Sequence, residues 1–306
     1  MNNDTLLLLG DEAVAQGGID AGASGFYAYP GTPSTEIMEY VQHSPLARER
    51  NIHRTWSANE KTAVETAIGM SYAGKRAMTM MKHVGLNVAA DPFVNAGVTG
   101  ANGGLIVTVA DDPSMHSSQN EQDSRILGKF AMIPVFEPSN QQEAYDMAFD
   151  GFRLSEELRT PVMLRLTTRL AHSRAGVTRR QELGENGHSL QDDLRQYVLL
   201  PVIARRRYAS LLDKQEAFEE EAEGSAYNRY IEGTDTRMGI IAGGIAYNYV
   251  MENYPDGRCP YPLLKLSQYP VPRGLVRRLV ESCEEVLVVE EGMPMVEEML
   301  RGLLDR

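Results

Sequence analysis

The sequence predicts an α/β protein: a mostly parallel sheet covered by helices over residues 1–173, followed by a smaller α/β unit over 236–306. Three observations predict it. Short apolar runs bounded by Gly, Pro or Asp alternate with helical patterns through the first part of the chain. The alternation stops in a polar stretch, 174–235. It resumes from Arg237. Alternating β and α elements bury a parallel sheet on both faces, and ligands then sit on the loops at the carboxyl ends of the strands.

In chain order, strands are expected at Thr5–Leu9, Gly25–Tyr29, Arg76–Met81, Leu105–Ala110, Ile133–Phe136 and Pro161–Arg165, each rich in large apolar or β-branched residues. Between them, Asp11–Ala21, Ser34–Val41, Ala58–Tyr72 and Gln141–Leu158 place small or apolar residues at three-to-four spacing, the mark of a helix face. The stretch 174–235 reads as a linker. Within it Gly184–Gln196 is polar and loop-like, and Leu194–Glu223 reads as one long helix running into Glu219-Glu220-Glu221 and stopping at Gly224-Ser225. In the last unit, strands are expected at Met238–Ala242, Leu263–Leu266 and Glu285–Val289, with helices at Ala246–Asn253, Gly274–Cys283 and Met295–Leu304.

Composition narrows the function. A net charge of -12 argues against nucleic acid, whose binding needs clustered Lys and Arg. The one dense basic run, Arg205-Arg206-Arg207, reads as a solvated helix face. Cys259 and Cys283 stand far apart, which fits a reduced, cytoplasmic compartment and excludes a cluster held by this chain, since iron–sulfur ligation takes four close thiolates. Thr5–Leu9 is too short for a signal-peptide core, and no run approaches the ~20 apolar residues of a membrane span. The histidines lack zinc-ligand spacing, and no G-x-S-x-G elbow occurs. Gly239–Gly244 lacks the G-x-G-x-x-G spacing of a dinucleotide turn, and Gly100–Gly104 precedes a strand, so it reads as a helix C-cap and turn.

Four loops are polar where strand ends are expected. In Tyr29-Pro30-Gly31-Thr32-Pro33-Ser34, two prolines stiffen the backbone around Thr32. The hydroxyl either faces a carboxylate at a helix N-terminus or, with Ser34, simply caps that helix. In Trp56-Ser57-Ala58-Asn59-Glu60, Ser57 and Glu60 have capping-box spacing, and the same helix start can present the Glu60 carboxylate to a ligand. Lys82-His83-Val84-Gly85-Leu86-Asn87 follows a strand, with the next helix expected near Asn87. Lys82 and His83 suit anion or carbonyl contacts there, although a lone His is often a satisfied structural group. The fourth loop, Asp111–Asp123, is long and polar: either functional or a solvated connector.

These loops, in this order, resemble the alpha subunit of indolepyruvate:ferredoxin oxidoreductase, within the wider pyruvate:ferredoxin oxidoreductase group. The resemblance rests on YPGTPST at 29–35, NEKTAVETAIGMSYAGKRAMTMMKHVGLNVAADP at 59–92 and ADDPSMHSSQNEQDSR at 110–125, and extends to YVLLPVIARRR at 197–207 and MGIIAGGIAYNYV at 238–250. It implies a thiamine-diphosphate pyrimidine-binding domain, a linker, and a transketolase-C-like domain. It implies that Glu60, nine residues before Gly69 of IGMSYAG, hydrogen-bonds N1′ of the aminopyrimidine and promotes the tautomer that deprotonates thiazolium C2. By the same resemblance Thr32, Lys82 and His83 contact substrate, Lys82-His83 replacing the Ser-Gly of the relatives' TSGPG loop as in the indolepyruvate type. Gly31, Gly85 and Asn87 line the cofactor, and Ser117, Ser118, Gln119 and Asn120 contribute loop contacts.

What else the resemblance implies lies outside this chain. The family's alpha subunit continues into a diphosphate-binding domain with a GDG…N magnesium motif and then a cysteine-rich two-cluster ferredoxin domain. Neither motif occurs in the 306 residues. The expectation is therefore no metal ligand here, an inactive chain on its own, and partners in a homo- or hetero-oligomer: a diphosphate-binding domain or subunit, the family's beta subunit and ferredoxin. Magnesium and iron–sulfur clusters would belong only to the complete complex, which would turn an arylpyruvate, coenzyme A and oxidised ferredoxin into an aryl-acetyl-CoA, CO2 and reduced ferredoxin. Two rivals remain at this point: a non-catalytic interaction subunit of the same fold, and a pyruvate- or 2-oxoglutarate-type enzyme.

Overall fold

The computed structural model describes residues 5–304. Along the chain the elements are β1 (Thr5–Leu9), α1 (Gly10–Asp20), β2 (Gly25–Ala28), α2 (Thr35–His43), α3 (Pro45–Glu49), β3 (His53–Trp56), α4 (Glu60–Tyr72), β4 (Ala77–Lys82), α5 (His83–Val88), α6 (Ala90–Thr99), β5 (Leu105–Asp111), α7 (Ser124–Ala131), β6 (Val135–Phe136), α8 (Gln141–Leu158), β7 (Val162–Thr167), α9 (Thr168–Ala171) and β8 (Arg174–Thr178). There follow α10 (Pro201–Asp213), α11 (Gln215–Glu223), β9 (Arg229–Ile231), β10 (Met238–Gly243), α12 (Ala246–Met251), β11 (Leu263–Leu266), β12 (Gln268–Tyr269), α13 (Arg273–Ser282), β13 (Glu285–Val289) and α14 (Met295–Leu304).

The α/β fold expected from the alternation is present. A seven-stranded sheet runs β12-β6-β7-β5-β4-β2-β3. From β6 to β3 every pairing is parallel. Its middle strand β5 is buried along all of Leu105–Asp111, as a strand covered on both faces must be. The flanking helices pack tightly. At Gly17 of α1 a side chain would meet the Tyr145 carbonyl of α8 at 2.3 Å, so a residue without Cβ is needed where the two helices touch. The second sheet, β13-β10-β11-β9, has parallel β10–β11 and β10–β13 pairs and an antiparallel edge, β9. The two sheets interlock: β9 comes from the stretch preceding the last unit, and β12 leaves that unit to pair antiparallel with β6.

Two expectations are corrected, and one strand was not foreseen. The leucine run Thr5–Leu9 forms a strand, but outside the main sheet, paired antiparallel with β8. Its burial alternates and Leu7 is 70% exposed, so it cannot fill a doubly covered position. The edge strand β3, His53-Arg54-Thr55-Trp56, has no apolar run to betray it. The single helix expected over Leu194–Glu223 is a 3₁₀ turn at Leu194–Tyr197, then α10 and α11. Pro201 sets the start of α10, since proline suits the first turn and no later position. Arg205 and Arg206 are solvated as expected, whereas Arg207 donates to the Thr99 carbonyl at 2.9 Å. Among the described residues no helix is long and apolar enough to cross a membrane.

A buried ionic seam ties the sheet to the last unit. Arg165 of β7 donates to Asp111 at 2.7 Å, to Glu137, and to the Glu291 carbonyl at 2.8 Å. Arg125 of α7 meets Asp123, Glu290 at 3.0 Å, Tyr269 at 3.2 Å and the Met293 carbonyl at 3.1 Å. Burial works to raise the Asp123 carboxyl, but the two guanidiniums outweigh it and hold it at about 2. For Asp111 and Glu290 burial wins, and both are pushed up.

Candidate functional site

Parallel pairing puts the ends of β2, β3, β4 and β5 on one edge. Ala28 lies opposite Trp56 and Met80, and Lys82 opposite Ala110. The four polar loops of the sequence leave from these ends and therefore meet.

Glu60 is the first residue of α4. The helix is capped by Asn59, whose side chain accepts from the Thr62 N–H at 2.9 Å. This corrects the capping box expected of Ser57 and Glu60: Asn59 already occupies the capping position, and Glu60 is released from that duty. Among the described residues its carboxyl makes no hydrogen bond. It rests against Gly85 of α5, where a Cβ would lie 2.5 Å from Oε1 and 2.7 Å from Cγ. Only glycine leaves that space.

Lys82 closes β4, and its stem lies beside Gly31, where a Cβ would stand 3.3 Å from the lysine Cβ. Its Nζ donates to the Ser117 carbonyl at 2.8 Å. His83 is 1% exposed, with Nε2 3.1 Å from the Asn120 carbonyl. Nε2 donates to that carbonyl, and Nδ1 is buried and without a partner among the described residues. The helix expected near Asn87 begins at His83 instead, and Asn87 lies within it, exposed.

The Gly31–Ser34 loop does not cap α2 through Thr32 or Ser34. Ser34 Oγ donates to the Gly31 carbonyl at 2.8 Å, and Gly31 N–H donates to Thr35 Oγ1 at 3.0 Å, so the loop closes on itself. Thr32 is exposed, follows no capping geometry, and precedes a cis peptide to Pro33. Its carbonyl accepts from Ser117 Oγ at 3.5 Å.

The long loop is built, not slack. Asp112 organises it, accepting from Ser117 N–H at 2.8 Å, from Ser118 Oγ, and from Thr168 Oγ1 at 2.7 Å. Burial would raise this carboxyl. The Ser118 and Thr168 hydroxyls and the Ser117 N–H outweigh it and hold the group well below the usual carboxylate range. Gln119 is exposed, and Asn120 contributes its carbonyl to His83. The structure thus brings Glu60 to Gly85, and Gly31, Thr32, Lys82, His83, Ser117 and Asn120 to one another. Sequence reasoning passed over Asp112 and Thr168. An Asp followed at five and six positions by two serines is the available signal, since a short carboxylate accepts from nearby N–H and O–H groups in such turns.

Residues 16–197 match the family described as pyruvate flavodoxin/ferredoxin oxidoreductase, thiamine-diphosphate-binding. The chain is 44% identical over 97% of its length to indolepyruvate oxidoreductase subunit IorA of Pyrococcus horikoshii, and 45% identical over 98% to that of Archaeoglobus fulgidus. It spans about half the length of these relatives, 47% and 49%. The 2-oxoglutarate synthase subunit KorA of Methanothermobacter thermautotrophicus is 32% identical over 55% of the chain and is itself covered to 46%. Among solved structures, a 2-oxoglutarate:ferredoxin oxidoreductase from Magnetococcus marinus superposes with a TM-score of 0.76 at 17% identity, over 98% of this chain and 60% of that one. A split-gene transketolase gives 0.58 at 14% identity, over 97% and 85%. At these identities the two superpositions speak for the fold, the α/β architecture described above.

Proposed function

The chain belongs to the thiamine-diphosphate-binding family of pyruvate flavodoxin/ferredoxin oxidoreductases, and from that premise we propose that it supplies the cofactor-activating part of a 2-oxoacid:ferredoxin oxidoreductase acting on an aryl 2-oxoacid of the indolepyruvate kind. The relatives of that name, 44–45% identical over nearly the whole chain, favour the aryl substrate. The observation that carries the reading is the Glu60 carboxyl: at a helix start on the strand-end edge, seated on a glycine, and free of hydrogen bonds to the described residues. A carboxyl so placed has its oxygens available to a ring nitrogen.

The residues fit the group that the family binds. Glu60 would hold a proton at N1′ of the aminopyrimidine, with Gly85, Gly31 and Asn87 around it. Thiamine diphosphate itself supplies the electron-sink chemistry of decarboxylation. Thr32 and the Lys82 ammonium, tethered at the Ser117 carbonyl, would take the substrate carboxylate. His83, fixed through Asn120, would back the same space, and Ser118, Gln119 and Asn120 would form its rim. In this reading 1–173 is the pyrimidine-binding domain, 174–235 a linker and 236–306 a transketolase-C-like domain. A diphosphate-binding domain or subunit completes the cofactor site and holds magnesium. The family's beta subunit and ferredoxin complete the complex, in which coenzyme A takes the acyl group, and this chain turns nothing over alone.

The test is Glu60→Gln in the complex reconstituted with a diphosphate-binding polypeptide. General acid–base catalysis contributes ~10²–10⁴-fold, so 2-oxoacid-dependent reduction of ferredoxin should fall by at least about a hundredfold with the fold intact. Near-normal turnover refutes the role of Glu60. A panel of indolepyruvate, pyruvate and 2-oxoglutarate on the wild-type complex decides the substrate class.

A further inference from the structure

Behind the loop edge, three side chains from three elements converge: Asp11 in the first turn of α1, Glu36 in the first turn of α2, and His172 just after α9. One ligating atom from each lies within 4.8 Å of the other two. Asp11 is fully buried, and among the described residues no donor reaches either of its oxygens or the buried Oε2 of Glu36. A buried carboxylate without a donor is costly unless it takes a proton or a cation, and the three ligating groups that converge here suit a cation. His172 Nε2 stands 3.5 Å from Glu36 Oε2. That is long for a hydrogen bond but ordinary for two ligands on one ion, since metal–ligand bonds of about 2.1 Å allow separations up to about 4.2 Å.

We propose that Asp11, Glu36 and His172 form a binding site for one divalent first-row transition-metal ion. An imidazole beside two carboxylates suits zinc or manganese, whereas magnesium and calcium prefer all-oxygen shells. The side chains of Glu36 and His172 are 33% and 34% exposed, so the ion enters from that side and keeps water on its open positions, with Asp11 as the floor. The site ties α1, α2 and α9 together. Glu36 follows Thr35, which holds the Gly31 loop, and His172 N–H donates to the carbonyl of Thr168, which holds Asp112. An ion here braces two loops of the edge from behind without touching Glu60.

The test uses the full chain, untagged and stripped of metal, titrated with Mn2+ (loss of the free-ion paramagnetic resonance signal) and with Zn2+ (thermal unfolding). One equivalent of either ion should bind at micromolar concentration, and a hundredfold excess over Kd should raise Tm by about 5 °C. H172Q, altered at a part-exposed position, should fold and weaken binding at least about tenfold. D11N keeps the shape of Asp11 and removes its ligating carboxylate, so the metal-free variant should melt no lower than wild type yet gain nothing from Zn2+. No uptake at millimolar Mn2+ or Zn2+ overturns the proposal, as does uptake that survives both substitutions. An equal response to Mg2+ overturns the transition-metal assignment.

Discussion

At the ends of β5 and β7, Asp111 and Arg165 face each other across a 2.7 Å ion pair, and Asp123, Arg125, Glu137 and Glu290 continue the chain of charges into the last unit. One strand over, at the end of β4, Lys82 and His83 reach only backbone carbonyls, and Glu60 reaches no protein donor among the described residues. The same sheet edge is sealed on one side and open on the other. In the sealed part each carboxylate contacts a guanidinium, which locks two units in place. In the open part Lys82 and His83 are held by backbone carbonyls alone, and Glu60 is left without a protein donor among the described residues. Partners, rather than polarity, distinguish the two parts.

Arg165→Met is the most severe way to break the contrast. It leaves Asp111 buried with the Ser124 N–H and no guanidinium, and takes from Glu137 one of its two arginines, Arg125 remaining; loss of one partner from a buried ion pair costs about 3–5 kcal/mol. Denaturant unfolding should show that loss. A loss below about 1 kcal/mol would mean that the seam holds little. Glu60→Gln, by contrast, should leave stability within about 0.5 kcal/mol while removing turnover, because nothing in the fold leans on that carboxyl.

Gly85→Ala sharpens the open side. The added methyl would lie under 3 Å from three atoms of Glu60, the far part of a flexible side chain, so the carboxyl moves and the backbone stays. A displacement of about 1 Å costs on the order of a hundredfold in rate. Activity of the reconstituted complex should therefore drop nearly as far as in Glu60→Gln, with little change in the unfolding midpoint. If activity persists, the Glu60–Gly85 contact is packing alone.

Lys82→Met keeps the stem against Gly31 and removes the ammonium. Losing one charge-assisted hydrogen bond to a substrate carboxylate, about 1.5–3 kcal/mol, should raise KM for the 2-oxoacid at least about tenfold with a smaller change in kcat. A fall in kcat alone would place Lys82 away from ground-state binding.

How much of this was legible in the sequence follows from the range of each interaction. The strands of the sheet centre and helices such as α8 are local in origin: buried runs, and a helix opened by Asn140, whose side chain accepts from Glu143 N–H. Short-range pattern finds these. The edge strand β3 lacks such a pattern, and β12 is two residues long, made a strand by a partner more than a hundred positions away. The site shows the same division. Its loops stood out as polar strand ends. The contact of Glu60 with Gly85 is created only when α4 packs beside α5, and no spacing rule reports it. Asp112 was hidden because a carboxylate that organises a loop looks, in one dimension, like a carboxylate in any loop.

Asp112 gives the finest test of the contrast, since it is a satisfied charge on the open side. Its folded-state carboxyl is held below the ordinary value near 3.9, so the native state favours the ionised form more than the unfolded chain does. The resulting stability is complete above about pH 4 and is lost as pH falls through the lower native value. Between pH 5 and 2, unfolding or loop protection measured by hydrogen exchange should weaken in the wild type. Asp112→Asn should lose about 1 kcal/mol at neutral pH, because the amide accepts with one oxygen where the carboxylate uses two, and its remaining stability should fall less steeply with acid. An acid profile identical in both proteins would show that hydroxyls and backbone hold the Ser117–Asn120 segment without the charge. The open side would then owe its order to Lys82 and His83, the residues that the proposal assigns to the substrate.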